Sequence, residues 1–349
     1  MKRLNILISS TRQWNPGDEF IRKGVEHLLK SILGPNHNWL LWNRNPDLFS
    51  NGWADGRMRT DFLTNSMRDP ALDVVDLVVM AGTPEWFGQP AERIYCNLLT
   101  QPEVPILVLG GGSGSVMPQL APHEIEVLDR SNAFISTRSL DLADGINAQL
   151  STPKAIPLPC PAFYSVEQPG VWPDRHRIGV IVQSSGTVNQ SIGEKLVQEL
   201  IAALRDAQGK VDLDIVSLYI DEHMRFSRLG LEHPCVYSYE PDHLLAQLTG
   251  YSTIISTRLH GAIAGLSAGV PSILLAEEGN LRLRSTQKLF GDLLPILTAQ
   301  EAFRVATQRS PEEARQQSVE ILSFKTGAFE ELRTKVKDFL SQVLPIESI

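Results

Sequence analysis

The sequence predicts an α/β protein made of two doubly wound domains. Three observations carry this. Short apolar runs alternate with amphipathic helical patterns along the chain. The length, 349 residues, suggests two domains at about 150 residues each, or one large one. The two halves also open alike, with LNILISS and RIGVIVQSS each ending an apolar run in Ser-Ser before a polar loop and an amphipathic helix.

Residues 4–8 read as the first strand. Ile21, Val25, Leu28, Leu29 and Ile32 then repeat at helical spacing, with Asn15-Pro16 as the opening signal and Gly34-Pro35 as the stop. Residues 76–80 and 106–109 are continuous apolar runs, the pattern of strands covered on both faces, and residues 134–136 form a weaker run. In the second half the predicted strands are 178–182, 215–220, 252–256 and 272–276. The predicted helices are 192–204, 242–248, 260–268, 311–322 and 326–343. The segment SVEQPGVWPDRHR carries prolines and a glycine without periodicity and reads as a linker. The resulting division is 1–165, a linker at 166–176, 177–325, and a C-terminal helix over 326–349. That helix has Phe329, Leu332, Val336, Phe339, Leu340 and Val343 on one face and mixed charge on the other. It is expected to pack back on the protein rather than lie on a membrane.

Composition narrows the class. Apolar residues at 42% and charged residues at 21% belong to a globular chain. The net charge of -8 disfavours a general nucleic-acid binder. Cys96, Cys160 and Cys235 are odd in number and widely spaced, so neither a disulfide framework nor a zinc site is expected. Cys160, between two prolines with no neighbouring histidine, reads as a buried thiol. The first apolar run is too short for a secretory signal, and no run reaches 18 residues, so a cytoplasmic protein without a membrane span is expected.

In a doubly wound sheet, ligands gather at the carboxyl ends of the strands, so the loops after the strands are where chemistry is expected. Trp14-Asn15-Pro16-Gly17-Asp18-Glu19 opens a helix, where free N–H groups attract anions; a plain capped turn is the competing reading. Gly82-Thr83-Pro84-Glu85-Trp86-Phe87 sets aromatic rings beside a carboxylate. That suits either a sugar platform with Glu85 as acid or base, or packing between helices. Gly110-Gly111-Gly112-Ser113-Gly114 matches neither a P-loop nor a dinucleotide fingerprint. Arg138 in Ser136-Thr137-Arg138-Ser139 is either a clamp for an anion, opposite Arg258, or a solvated surface arginine. Ser256-Thr257-Arg258-Leu259-His260-Gly261 is the strongest signal. Arg258 can grip a phosphate or carboxylate in bidentate fashion, and His260 can donate to the same anion or move a proton near neutral pH; a buried histidine that only makes a structural hydrogen bond is the competing reading.

Three of these motifs together resemble the polysaccharide pyruvyl transferases. They are Asn15-Pro16-Gly17-Asp18 with Ile21, then Thr137-Arg138-Ser139, then Arg258-Leu259-His260-Gly261 followed by Gly269-Val270-Pro271. The resemblance implies two Rossmann-like domains facing a cleft, similar to B-type glycosyltransferases. It implies phosphoenolpyruvate as co-substrate, no further cofactor and no metal, and a hexose diol of a glycan as acceptor. The donor would be held by Arg138, Arg258, Leu259, His260 and Gly261, and the acceptor by Asn15, Gly17 and Trp86. His260, Asp18 and Glu85 would serve as proton-transfer groups. Two departures stand out: Ala81-Gly82-Thr83 replaces a glycine cluster, and the basic residue expected after the last strand falls to Arg282, Arg284 or Lys288. The competing readings are a nucleotide-sugar glycosyltransferase, with Glu240 or Glu277 on a ribose, and a non-catalytic sugar- or phosphate-binding relative.

Overall fold

The computed structural model describes residues 3–10, 16–43, 72–83, 91–113, 119–168, 176–183, 193–277 and 280–344. The chain divides into two compact units, Met1–Pro161 with Ala328–Ile349, and Ala162–Gly327.

The first unit holds a parallel sheet of six strands: β1 (Asn5–Ser10), β2 (Asn38–Asn43), β3 (Leu77–Ala81), β4 (Ile106–Gly111), β5 (Ala133–Thr137) and β6 (Ala155–Pro157). They run in the order β2-β1-β3-β4-β5-β6. Strands β3 and β4 are buried along their whole length, as their unbroken apolar runs require. Helix α1 (Pro16–Leu33) buries Phe20, Ile21, Val25, Leu28, Leu29 and Ile32, and Gly34 at φ 84° ends it. Helices α2 (Ala91–Leu99), α3 (Pro122–Leu128) and α4 (Leu140–Asn147) complete this unit's crossovers. The sheet order reverses between β1 and β3, which places this unit's switch point at their carboxyl ends.

The second unit repeats the scheme with β7 (Ile178–Val182), β8 (Leu213–Ser217), β9 (Cys235–Tyr237), β10 (Thr253–Ser256), β11 (Ser272–Leu275) and β12 (Ile296–Leu297). Read from one edge, the order is β9-β8-β7-β10-β11-β12, again all parallel. The switch point here lies between β7 and β10. Helices α5 (Glu194–Ala207), α6 (Ile220–Phe226), α7 (Pro241–Leu248), α8 (Leu259–Ser267), α9 (Leu281–Gln287) and α10 (Ala299–Gln308) flank the sheet. At the amino ends of the strands the buried Asp214 carboxylate holds two partners. The Tyr251 hydroxyl donates to Asp214 at 2.8 Å, and Arg177 donates to the same carboxylate at 2.7 Å.

Two sequence expectations need correction. The predicted strand 215–220 stops at Ser217, and Ile220 begins α6. The acids Asp221 and Glu222 sit in that helix's first turn, where they favour helix over strand. The predicted helices 311–322 and 326–343 are one helix, α11 (Pro311–Val343). Gly327 lies inside it, exposed, because the buried stripe of Ile321, Lys325, Ala328, Leu332, Val336 and Leu340 continues past the glycine. That burial outweighs the roughly 1 kcal/mol helix penalty of one glycine. The helix contributes residues 311–327 to the second unit and 328–343 to the first. In the first unit Phe329 of this helix stacks on His27 at 4.8 Å and Phe339 lies tilted on Phe134 at 5.7 Å. Among the described residues, no helix is long and apolar enough to cross a membrane.

Candidate functional site

The loop between β10 and α8 stands at the switch point of the second unit. The Arg258 amide donates to the Ser256 hydroxyl at 3.0 Å, and that hydroxyl donates to the Arg258 carbonyl at 2.7 Å. This turn fixes Arg258 as the N-cap residue of α8, in extended conformation, and no side chain caps the helix. The first N–H groups of a helix so left carry positive character and suit an anion. Every residue of α8 except His260 is buried. Leu259 is thus a core residue as well as the first backbone N–H of the helix.

Glycine sets how closely α8 lies on the sheet. A Cβ on Gly261 would stand 2.8 Å from Ile181 Cδ1 and 2.9 Å from Ser256 Oγ. A Cβ on Gly265 would stand 2.5 Å from Ser272 Oγ and 2.6 Å from Ile254 Cδ1. Both are too short for any side chain, so the two glycines let the helix rest on β7, β10 and β11. Gly269 at φ 79° closes the helix. Its N–H bonds to the Leu266 carbonyl and the next N–H, of Val270, bonds to the Gly265 carbonyl, a Schellman arrangement. The motif read as Gly269-Val270-Pro271 is therefore the helix stop.

Arg258 is held on two sides. Its Nε donates to Glu222 Oε1 at 2.9 Å, Nη2 also pairs with that oxygen, and the guanidinium carbon lies 4.3 Å from the Tyr219 ring centroid. Glu222 is fully buried and the Arg258 side chain is 11% exposed. Burial pushes the Glu222 carboxyl above its ordinary value, against the opposing pull of Arg258. Neither Glu222 nor Tyr219 stood out in the sequence. The only signal was an acid just after the predicted strand 215–220, in the first turn of a helix that the sequence reading did not assign.

In the first unit, Arg138 follows β5 and is 2% exposed, so the solvated surface arginine is ruled out. Its amide donates to the Gly111 carbonyl at 3.0 Å. Its guanidinium lies against the α-carbon of Gly112, where a Cβ would stand 2.5 Å from Cζ and Nε. The strand β4 shifts register between Val108 and Gly111, and Gly110 at φ 72° sits in that irregularity. The glycine cluster thus makes room for an arginine, a role its sequence did not suggest. Both arginines close a Ser-Thr-Arg tripeptide after a strand, in Ser136-Thr137-Arg138 and Ser256-Thr257-Arg258.

Asp18 and Gly17 lie in the first turn of α1, Asp18 half-buried and Gly17 buried. The neighbouring Glu19 is ion-paired with Arg22 at 2.7 Å. Three strand spacings, about 14 Å, separate β1 from β5, so Asp18 and Arg138 follow strands that are far from adjacent in this sheet. Asn15, Glu85 and Trp86 lie outside the described residues. Arg282 and Arg284 are on α9 and Lys288 is its C-cap residue. Glu277 accepts from the Gly193 amide at 2.8 Å, ahead of α5. Cys160 is buried, as expected.

Solved structures share this fold. An assigned UDP-N-acetylglucosamine 2-epimerase from Listeria monocytogenes is 10% identical, with 91% of each chain covered and a TM-score of 0.59. The UDP-GlcNAc 2-epimerase of Methanocaldococcus jannaschii, solved with UDP-GlcNAc and UDP, is 10% identical over 93% of this chain and 100% of that one, with a TM-score of 0.53. The glycosyltransferase SnogD from Streptomyces nogalater is 17% identical over 96% and 99%, with a TM-score of 0.52. At such identities the likeness is one of fold, two Rossmann-like domains. No curated protein sequence matches. The family model for polysaccharide pyruvyl transferase matches residues 15–279, a stretch that takes in Gly17, Asp18, Arg138 and the whole of Arg258-Leu259-His260-Gly261. The chain belongs to the polysaccharide pyruvyl transferase family.

Proposed function

We propose that this chain transfers the pyruvyl group of phosphoenolpyruvate to two hydroxyls of one hexose in a glycan or glycan precursor. The products are a cyclic pyruvate ketal and inorganic phosphate. The observation that carries the reading is His260, the one residue of helix α8 that is not fully buried, two residues after Arg258 at a switch point. This arrangement suits a small dianion.

The chemistry needs an acid, a base and cations. The donor's methylene carbon takes a proton, which leaves a cationic carbon stabilised by oxygen. A sugar hydroxyl adds to that carbon and gives up its proton, phosphate departs with the C–O bonding pair, and a second hydroxyl adds to the same carbon and closes the ketal, its proton leaving with the phosphate. Arg258 holds a donor anion, and His260 binds the phosphate or delivers the proton. By the family resemblance Arg138 is assigned to the same donor. Asp18 or Glu85 is the base for the acceptor, and Asn15, Gly17 and Trp86 bind it. No cofactor is required, and the reaction belongs in the cytoplasm, where phosphoenolpyruvate is made.

The test is phosphate release from phosphoenolpyruvate against a panel of galactosides, mannosides and N-acetylhexosamines. Acceptor-dependent release is expected, with its loss in Arg258→Ala and His260→Ala. Wild-type rates in either variant would overturn the roles. Stabilisation by nucleotide sugars but not by phosphoenolpyruvate in a thermal-shift assay would favour a glycosyltransferase instead.

A further inference from the structure

We infer that Glu222 and Tyr219 are positioning residues for Arg258 and set the donor affinity of this site. The inference rests on the reading of Arg258 as an anion-binding group. Neither residue touches the anion; both act through the guanidinium.

The geometry leaves little freedom. An arginine on an exposed loop explores many rotamers, and ordering it on a ligand costs side-chain entropy. Here one edge of the guanidinium is spent on Glu222 Oε1, through Nε and Nη2, and one face lies on Tyr219 at 4.3 Å. Three of its five N–H bonds remain for a ligand. The second carboxylate oxygen of Glu222 accepts from the Tyr219 amide at 3.2 Å, so ring and carboxylate are tied to each other as well as to the arginine. Glu222 is itself fully buried. A buried carboxylate is costly unless paired, and its partner is Arg258, the N-cap residue of α8 at the switch point. The whole brace comes from α6, an element separate in sequence from the motif it holds.

A positioning role differs from a scaffold role in what it moves. Loss of scaffold lowers the amount of active protein and so kcat, with KM unchanged. Loss of positioning raises the KM for the anion. The experiment uses the full chain and four proteins: wild type, Glu222→Gln, Tyr219→Leu and Arg258→Lys. The Arg258 Nε–H signal is identified by NMR as the one absent from Arg258→Lys. In wild type it is expected to be protected from solvent exchange, and in Glu222→Gln to lose that protection. The KM for phosphoenolpyruvate should rise at least tenfold in Glu222→Gln and about threefold in Tyr219→Leu, which keeps the carboxylate. Should Glu222→Gln fail to fold, Tyr219→Leu carries the test. Wild-type KM with lowered kcat in the folded variants would overturn the inference.

Calorimetry with inorganic phosphate separates this from failure of the donor reading. Phosphate binding that weakens in Glu222→Gln and Arg258→Lys, in a protein that never turns over phosphoenolpyruvate, keeps the brace and rejects the donor. Phosphate binding indifferent to Glu222→Gln, or none at all in wild type, rejects the brace.

Discussion

Lys325 should make the stability of this protein rise with pH between about 8 and 10.5. Its side chain is only 8% exposed, in the middle of α11, and its ammonium donates to the Ser267 carbonyl at 2.7 Å and to the Val166 carbonyl. Ser267 is the last residue of α8, so the cation sits where the helix dipole favours it. Burial nonetheless pushes the Lys325 amine down from 10.5 to about 8, opposed only by Glu167. Below about pH 8 the group is charged in both native and unfolded chains, and the native state bears the full cost. Between about 8 and 10.5 the unfolded chain keeps its proton while the native one has lost it, so the native state gains. At 1.36 kcal/mol per pH unit the gain totals about 3 kcal/mol. The assay is urea unfolding at pH 7.5 to 10.5 for wild type and Lys325→Met. The substitution leaves both carbonyls without their donor, a cost that does not change with pH. The difference in stability between the two proteins should therefore move by about 3 kcal/mol in favour of wild type. A difference that stays flat across this range would refute the argument.

Two further outcomes follow from the packing. Gly112→Ala must displace the Arg138 guanidinium by about 1 Å, which should cut phosphate release from phosphoenolpyruvate about 100-fold with little change in thermal stability; an unchanged rate would separate Arg138 from the reaction. Tyr251→Phe removes a donor from the buried Asp214 carboxylate and should cost about 1–3 kcal/mol, read from the urea midpoint, without altering the KM for phosphoenolpyruvate.

The sequence by itself determined the two α/β halves, most of the central strands and the bounds of α1 and α8. These depend on local physics: unbroken apolar runs for strands covered on both faces, helical spacing, a proline at the start and a left-handed glycine at the stop. It also singled out Arg138, Arg258 and His260, because they directly follow buried strands, where a doubly wound sheet gathers its ligands. It did not separate one helix from two around Gly327, since continuity there depends on what the far face of α11 packs against.

Only the tertiary structure decided what each arginine rests on. Glu222 lies 36 residues before Arg258, just past the predicted strand 215–220; its role exists only once α6 and α8 flank the same sheet. The glycine cluster matched no phosphate-binding pattern, and its Gly112 makes room for Arg138, because the turn after β4 comes to lie against the turn after β5. Secondary structure answers to neighbours within a few residues, whereas the pairing of a buried charge answers to whatever the sheet order brings beside it. The net charge of -8 likewise says nothing about the loop between β10 and α8, where the Arg258 guanidinium and the uncapped start of a helix set the local field.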